Sequence, residues 1–417
     1  MPGTGTGLKI WIIGLRGTTA TTATVGTLAA QRGLLPLEGL LTETAPFGAL
    51  PLAEVQTLEF GGCDLSPGHL AGTAHATLAA VGAFPTAVVE AVMPELERIS
   101  ITRGTLRGGG RAVEALAEGE PDLSESAREA IDRITSDLQG FAAGAPAVVV
   151  NLASTEPLTD PALASWDLAA LEQALDADDS RIPASSLYAY AAVQARLPYI
   201  NFTPSAGASL PALIELARET GVPLAGRDGK TGETLVKTAL APMFAIRALT
   251  VEGWYGTNIL GNTDGQVLAD PENRASKITS KQGVLEACLG YSPEGDVRID
   301  YFPPLADHKV AWNFIQFRGW GGHRMRMQFT WEGTDAVLAA PLVLDLARLI
   351  NFAWQRGEAG PIGALGLFFK TPEGSPEMNL HRQYEALLRW VEAGGQQAEP
   401  ALEDPALRLP APQRRAS

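Results

Sequence analysis

Short apolar runs alternate with longer helical stretches along the first half of the chain. Residues 8–13 are apolar and rich in isoleucine, which predicts a buried strand, and a helical pattern follows to Gln31. Residues 147–152 repeat the signal of a buried strand, and residues 199–203 predict the end of a further one. Strands that alternate with helices are typical of an α/β fold with a parallel sheet.

Between these strands the pattern is less regular. Residues 39–42 predict a second strand that ends at Glu43, and residues 61–64 predict a turn. Helical periodicity then extends over 85–144. A carboxylate at the end of the second strand of a dinucleotide-binding fold can bind the adenosine ribose, so Glu43 is a candidate for that role. The alternative is a solvated strand end.

The second half of the chain has a different character after about Gly226. Residues 251–329 alternate β-rich runs with turns, which predicts an antiparallel or mixed sheet and therefore an α+β domain. Residues 339–354 return to helical periodicity, and residues 365–369 resemble a strand.

Composition and charge exclude several classes of function. The 417 residues exceed one ordinary domain, and 46% of them are hydrophobic, which is enough for a sizeable core. Lys and Arg number 32 against 47 Asp and Glu, so the net charge is 32 − 47 = −15, which disfavours nucleic acid and anionic membranes as partners. Two distant cysteines support neither a disulfide framework nor a zinc site, and the first apolar run is too short for a signal peptide. We therefore expect a cytoplasmic protein.

The first strand ends in a glycine turn that leads into a helix. Gly14 and Gly17 stand in this turn, with Ala20 in place of a third glycine. A strand, a glycine turn and a helix form the context of a dinucleotide-binding site, although many buried strand-to-helix turns also contain two glycines.

Lysines stand in unusual settings in the second half. Lys370 directly follows an apolar run, and Lys277 and Lys281 are four residues apart, on one face if that segment is helical. Lys230 and Lys309 lie in short polar segments. The alternative for any one of them is a surface lysine that pairs with a carboxylate. The sequence has no serine-hydrolase elbow, zinc-protease helix or P-loop, and its histidines lack the regular spacing of a metal site.

Several polar and glycine-rich motifs fall between residues 8 and about 375. They are GLRG at 14–17, GGCD at 61–64, STE at 154–156, DGKTGET at 228–234, NILGNTDG at 258–265, SKITSK at 276–281, DHK at 307–309, LAAPL at 338–342 and FKTP at 369–372. In this order the motifs resemble those of the myo-inositol-1-phosphate synthase family, and they look closest to its compact archaeal type. The segment 226–345 carries the most specific part of the resemblance.

The resemblance implies a fold and an assembly. The fold is α/β: a Rossmann-like, doubly wound NAD-binding domain with an inserted α+β domain for catalysis and oligomerisation. On this basis the NAD-binding domain begins with residues 1–228, and residues 229–340 form the inserted domain. Residues 341–395 return to the NAD-binding domain, and residues 396–417 form a mobile tail. The implied assembly is a homotetramer.

The resemblance also implies an activity and a set of site residues. The activity is the NAD-dependent, redox-neutral conversion of D-glucose 6-phosphate to 1D-myo-inositol 3-phosphate by oxidation at C5, enolisation, intramolecular aldol closure and reduction. The catalytic candidates are Lys277, Lys281, Lys309, Lys370, Asp228, Asn258, Asn262 and Asp264. The NAD-binding candidates are Gly14, Arg16, Gly17, Thr18, Thr19, Asp64, Ser154, Thr155, Thr203 and Asp228. Asp335 matches a carboxylate linked to a divalent cation in archaeal-type members.

Some residues depart from the family pattern. Thr18 and Thr19 replace asparagines, Cys63 replaces a tryptophan, and Ser154 replaces an asparagine, so the changes flank the predicted cofactor site. Arg227 is also unusual and bears on the choice of substrate. Two alternative functions follow: a related cyclitol phosphate synthase that uses another sugar phosphate, such as fructose 6-phosphate, and a plain NAD dehydrogenase or silent NAD-binding regulator.

Overall fold

The structure is a computed structural model that describes residues 7–65, 67–108, 110–115, 125–267 and 283–394. Lys277, Lys281, the side chain of Asp264 and the predicted tail at 396–417 lie outside the described part.

Strands and helices alternate up to residue 246 and again towards the end of the described chain. The strands are Leu8–Ile13 (β1), Leu58–Asp64 (β2), Gly68–His69 (β3), Ser100–Arg103 (β4), Ala147–Asn151 (β5), Tyr199–Asn201 (β6), Pro223–Gly226 (β7), Thr250–Leu260 (β8), Val297–Tyr301 (β9), His308–Arg318 (β10), Arg324–Thr334 (β11) and Gly360–Pro361 (β12). The helices are Thr18–Gln31 (α1), Ala71–Val81 (α2), Thr86–Leu96 (α3), Gly110–Glu114 (α4), Ala127–Ala142 (α5), Leu168–Asp176 (α6), Ala184–Gln194 (α7), Pro211–Thr220 (α8), Gly232–Ile246 (α9), Thr263–Val267 (α10), Asp335–Gln355 (α11) and Leu380–Glu392 (α12).

The larger sheet has the strand order β12-β7-β6-β5-β1-β2-β4-β3 in the described part of the chain, and every neighbouring pair is parallel except β3 with β4. Because β1 pairs with both β2 and β5, the strand order reverses beside β1, and this is where open α/β sheets bind their ligands. One face of the sheet packs against α1, α3 and α11, and the other against α5, α7 and α8. The predicted Rossmann-like, doubly wound fold is confirmed.

The smaller sheet has the order β11-β10-β8-β9. β10 is antiparallel to β8 and β11, whereas β9 is parallel to β8. One face is covered by α9, whose Phe244 contacts Trp254 and Phe317. The other face carries half-buried aromatic side chains, including Tyr255 and Trp312.

The second strand of the larger sheet is not where the sequence pattern placed it. Residues 39–42 were predicted as a strand, but Leu41–Glu43 is a 3₁₀ turn, and the strand is β2. The prediction of a turn at 61–64 was therefore wrong. Gly62 allows β1 to approach β2 closely, since a Cβ on Gly62 would lie 2.1 Å from the carbonyl oxygen of Ile12.

Two further predicted elements differ from the structure. The helical stretch 85–144 is interrupted by β4. The apolar residues 365–369, predicted as a strand, lie largely in the 3₁₀ helix Gly363–Phe368. Leu365 and Phe368 are both buried there, and a spacing of three places them on one side of a 3₁₀ helix.

Helix α11 is long and apolar enough to cross a membrane by length and composition, in contrast to the short apolar stretches noted in the sequence. In the most apolar window of this helix 78% of the residues are buried inside the protein, as expected for a central core helix.

Candidate active site

A cleft of about 500 Å³ lies at the carboxyl ends of the central strands β1, β2, β5 and β6. It also reaches the segments that follow β7, β8 and β11, so both sheets contribute to its walls. All ten predicted NAD-binding residues line it: Gly14, Arg16, Gly17, Thr18, Thr19, Asp64, Ser154, Thr155, Thr203 and Asp228. Among the predicted catalytic and metal-binding residues, Asn262, Lys309, Lys370 and Asp335 line the same cleft.

The glycine turn leaves room for a ligand and points a helix at it. Gly14 has a φ of +83°, and a Cβ there would lie 2.9 Å from the Cα atom of Ala153. Gly17 is the N-cap residue of α1 and supplies no side-chain cap, and the first turn of the helix contains no acidic residue. Because the first amides of a helix lack partners within the helix, this end of α1 suits a phosphate group.

A carboxylate does stand at the end of the second strand, but it is Asp64. Its Oδ2 atom accepts a hydrogen bond from the Arg16 N–H at 2.8 Å, and its Oδ1 atom accepts one from the Leu65 N–H at 2.8 Å. Asp64 thus joins β2 to the glycine turn. The candidate from the strand pattern, Glu43, forms an ion pair with Arg348 at 2.6 Å and does not line the cleft, so that prediction was wrong.

The segment after β5 contributes a buried carboxyl group that the sequence analysis did not single out. Glu156 accepts a hydrogen bond from the Ser185 N–H at 2.8 Å and another from the Ser185 hydroxyl. Burial raises the pKa of Glu156 to about 7. Ser185 lies in the first turn of α7, so Glu156 joins the cleft wall to that helix. Its position in the polar segment that follows the buried strand β5 was the available signal.

Lys370 meets Asp228 at the wall of the cleft, although 142 residues separate them. The two side chains are buried, and the Lys370 Nζ atom lies 2.7 Å from the Asp228 Oδ1 atom. Backbone hydrogen bonds hold the two segments together: the Lys370 N–H donates to the Asp228 oxygen at 2.7 Å, and Arg227 and Thr371 exchange bonds of 2.8 and 3.1 Å. Asp228 has a φ of +61°, an uncommon conformation for a residue other than glycine.

Lys309 reaches the cleft from the smaller sheet and is also paired with a carboxylate. Its Nζ atom lies 3.2 Å from the Oδ2 atom of Asp335, whose Oδ1 atom accepts a hydrogen bond from the Thr231 hydroxyl at 2.9 Å. Nearby, the Asn262 amide donates to Asp307 at 3.0 Å. Burial raises the pKa of Asp307 above its ordinary value. The cleft therefore brings together two lysines from distant parts of the chain.

Two other predicted or noted residues lie elsewhere. Asn258 is fully buried in β8, does not line the cleft and donates a hydrogen bond to Glu233 at 2.6 Å. Lys230 is buried and donates to Gln383 of α12. Burial lowers the pKa of Lys230 to about 7. Its side chain anchors the C-terminal helix and does not line the cleft.

The fold and cleft define a dinucleotide-binding enzyme of the Rossmann class, with two lysines in the same cleft as the glycine turn. Comparison with known proteins narrows the class. A family model described as myo-inositol-1-phosphate synthase matches residues 8–392. The chain is 34% identical to inositol-3-phosphate synthase 1 of Bacteroides thetaiotaomicron, over 92% of this chain and 94% of that protein.

Solved structures agree in fold. The crystal structure of inositol-3-phosphate synthase from Caenorhabditis elegans has a TM-score of 0.85 at 23% identity, covering 98% of this chain and 90% of that one. A myo-inositol-1-phosphate synthase-related protein from Thermotoga maritima has a TM-score of 0.78 at 23% identity, covering 94% of this chain and 100% of that one. The chain belongs to the myo-inositol-1-phosphate synthase family, and it is an isomerase-type enzyme that uses NAD.

Proposed function

We propose that this protein cyclises D-glucose 6-phosphate to 1D-myo-inositol 3-phosphate with NAD and without net redox change. The observation that carries the proposal is that Lys309 and Lys370 both line the cleft that also contains the glycine turn. The fold accounts for how a cofactor would be held in the cleft. The second half of the chain adds the lysines that would act on the substrate.

The residues present fit NAD. The close approach at Gly14 allows no side chain, and the uncapped first turn of α1 offers amides to a pyrophosphate. Asp64 stands where a ribose hydroxyl would be bound, and Thr203 and Asp228 line the far side of the cleft. When bound, NAD would accept a hydride from C5 of the sugar and later return it.

The lysines would act on oxygen atoms of the sugar. A ketone at C5 acidifies the C6 protons, and removal of one gives an enolate whose carbon attacks the C1 aldehyde. Negative charge develops first on the C5 oxygen and then on the C1 oxygen. Ammonium groups held in a partly buried cleft stabilise such charge strongly. Asp228 and Asp335 orient Lys370 and Lys309 before substrate binds, because each carboxylate fixes one ammonium group.

Helix α9 supplies a place for the substrate phosphate. The helix begins directly after Thr231, which lines the cleft beside Lys309 and Asp335. The side chain of Thr231 makes no capping hydrogen bond to the helix, since its hydroxyl donates to Asp335. No side chain therefore caps the first amides of α9, and we propose that they bind the substrate phosphate.

The residues present do not complete a site for a divalent cation. Asp335 binds Lys309 and Thr231, and within the described ranges no three His, Cys, Asp or Glu side chains are grouped as metal ligands.

We also propose that the chain assembles as a homotetramer in the cytoplasm. The smaller sheet exposes a half-buried apolar face that carries Tyr255, Trp312 and Phe314, and a second copy of the chain would cover it. Both cysteines are free, which suits a reducing compartment.

A related cyclitol phosphate synthase is the second candidate. Arg227 lines a further cavity of about 470 Å³ that shares Ser205 and Lys370 with the main cleft. This cavity could accept a sugar phosphate of different shape, such as fructose 6-phosphate.

One experiment separates these functions. The protein is incubated with NAD and glucose 6-phosphate, or with fructose 6-phosphate, and products are identified by NMR while NADH absorbance is followed. We expect a cyclitol phosphate from glucose 6-phosphate without accumulation of NADH. Stoichiometric NADH would indicate a dehydrogenase, and a cyclitol from fructose 6-phosphate alone would favour the second candidate.

Lysine variants test the residues. Replacing Lys309 or Lys370 by Met removes an oriented ammonium group, and loss of one such group typically lowers the rate by about 10²–10³. The double variant should lose less than the combined effect of the single variants, because coupled groups are not additive. Lys9→Met is the matched control, since Lys9 lies in β1 outside the cleft. Near-normal turnover in the double variant would contradict the proposed mechanism.

A further inference from the structure

A buried cluster of polar side chains lies behind the cleft, between α9 and the smaller sheet. Glu233 and Lys237, one turn apart on α9, form an ion pair of 2.9 Å, and each side chain is only 2% exposed. The Asn258 amide donates to the other Glu233 oxygen at 2.6 Å. A buried ion pair is weak evidence for stability, so its presence here calls for another explanation.

The sheet is shaped to receive this carboxylate. Gly256 lies between Asn258 and Asn313 on the covered face, because Asn313 pairs with Gly256 in the register of β8 and β10. A Cβ on Gly256 would lie 2.5 Å from the Glu233 Oε1 atom and 3.0 Å from the Asn313 Oδ1 atom. The missing side chain thus forms a notch, and the Glu233 carboxylate fills it. Asn313 is itself fixed by the Trp254 indole at 2.7 Å.

The notch determines where α9 begins. Glu233 is the second residue of α9, directly after Gly232 and Thr231. Gly232 also approaches the sheet closely, since a Cβ there would lie 3.2 Å from the Trp331 indole nitrogen. β8 and β10 lead to Asn262 and Lys309, so the same contacts set the distance from the first amides of α9 to those two cleft residues.

We propose that Glu233, Lys237 and Asn258 are positioning residues that hold the start of α9 in register with Lys309 for the sugar phosphate. This inference rests on the proposed function. It gives Asn258 a role that does not require contact with the substrate. Glu233 is locked from three sides, by Lys237, Asn258 and the Gly256 notch, so a displaced carboxylate would move the first turn of the helix.

Three variants disturb the cluster in different ways. Gly256→Ala fills the notch without changing any charge, and Lys237→Met removes the counter-charge. Glu233→Gln with Lys237→Met removes both charges but keeps an acceptor for Asn258. The matched control is Ile315→Val, since Ile315 is fully buried on the same face of the sheet and contacts none of these residues through a hydrogen bond.

The measurements are the KM and kcat for glucose 6-phosphate, the Kd for NAD and the melting temperature. We expect Gly256→Ala and Lys237→Met to lower kcat/KM by about 10- to 100-fold, mainly through KM, because small displacements of binding groups have effects of this size. The Kd for NAD should stay within about twofold, and the neutral double variant should recover most of kcat/KM. If Lys237→Met fails to fold, Gly256→Ala and the double variant still decide the question.

Unchanged KM values in the folded variants would overturn the inference. Two other results would also overturn it: Ile315→Val could lower kcat/KM equally at the same loss of melting temperature, or the Kd for NAD could rise in parallel. Either result would indicate general destabilisation. If the wild-type protein forms no cyclitol, the proposed function fails and the inference falls with it. An active wild-type enzyme with insensitive variants contradicts the inference alone.

Discussion

Gly14 allows a direct test of the cofactor site. Its backbone is in a left-handed conformation, and its neighbours leave no room for a Cβ atom. Its φ is +83°, and a Cβ would lie 2.9 Å from the Ala153 Cα atom and 3.0 Å from the Ala153 nitrogen. Both contacts are to backbone, which cannot rotate away as a side chain can. Ordinary contact begins at 3.4 Å, so restoring it in Gly14→Ala would take a movement of 3.4 − 2.9 = 0.5 Å.

The magnitude has two parts. The left-handed conformation costs a residue other than glycine about 1–2 kcal/mol. Overpacking against rigid neighbours typically costs a further 1–3 kcal/mol or so. If the turn keeps its place, the protein loses stability by roughly the sum of these two costs; if it moves, NAD binding is lost instead. Since about 1.4 kcal/mol corresponds to a tenfold change in affinity, we expect the Kd for NAD to rise by at least about tenfold.

The assay is NAD binding by calorimetry, with melting temperatures measured with and without NAD. Gly82→Ala is the matched control: Gly82 has a φ of +65° at the end of α2, and nothing lies within 4 Å of its Cβ position. The control should lose about 1 kcal/mol of stability and bind NAD normally. At the same concentration, NAD should raise the melting temperature of wild type and control by more than that of Gly14→Ala. Equal NAD affinity in the two variants would refute the placement of the cofactor beside this turn.

Two further predictions concern charge and assembly. Burial raises the pKa of Glu373 from its ordinary value of about 4.5 to about 7, so the folded protein retains a proton there that the unfolded chain releases. The free energy of unfolding therefore falls as the pH rises from about 4.5 to 7. Glu373→Gln should reduce that fall in a pH series of melting temperatures. Parallel curves for variant and wild type would contradict the raised pKa of Glu373. Light scattering should show that Trp312→Glu splits the oligomer, whereas Leu34→Lys, a change at an exposed leucine that follows α1, should not. An intact Trp312→Glu oligomer would remove that face of the smaller sheet from the interface.

Local patterns were sufficient for the elements whose signal lies in consecutive residues. The apolar runs of β1 and β5 predict buried strands because both faces of a parallel sheet are covered. The glycine turn after β1 was equally visible. β2 was missed because Gly61 and Gly62 resemble turn residues in sequence. Their reason is a long-range contact, since a Cβ on Gly61 would meet the ring of Phe141 at 2.4 Å.

The pairing within the site depends on topology, which spacing does not contain. The family resemblance selected Lys370 and Asp228 separately, but their contact arises because the chain returns beside β7 after more than a hundred residues. The same resemblance selected Asn258 for catalysis, and the fold places it behind the cleft, where it donates a hydrogen bond to Glu233. A sequence motif identifies residues that a family keeps together, whereas only the packing shows whether a side chain faces the cleft or supports it from behind.

The paired lysines contribute little to the attraction of phosphate groups in this acidic protein. Lys370 with Asp228, and Lys309 with Asp335, each have a formal charge of zero, so the pairs add little net positive charge to the cleft. Attraction for phosphate then comes from Arg16, which lines the cleft, and from the first amides of α1 and α9, which no side chain caps. The carboxylates fix the lysines in direction, and the ammonium groups matter most when charge develops on the sugar oxygens. Loss of a lysine should therefore lower turnover far more than it weakens NAD binding, which separates the roles of the two halves of the site.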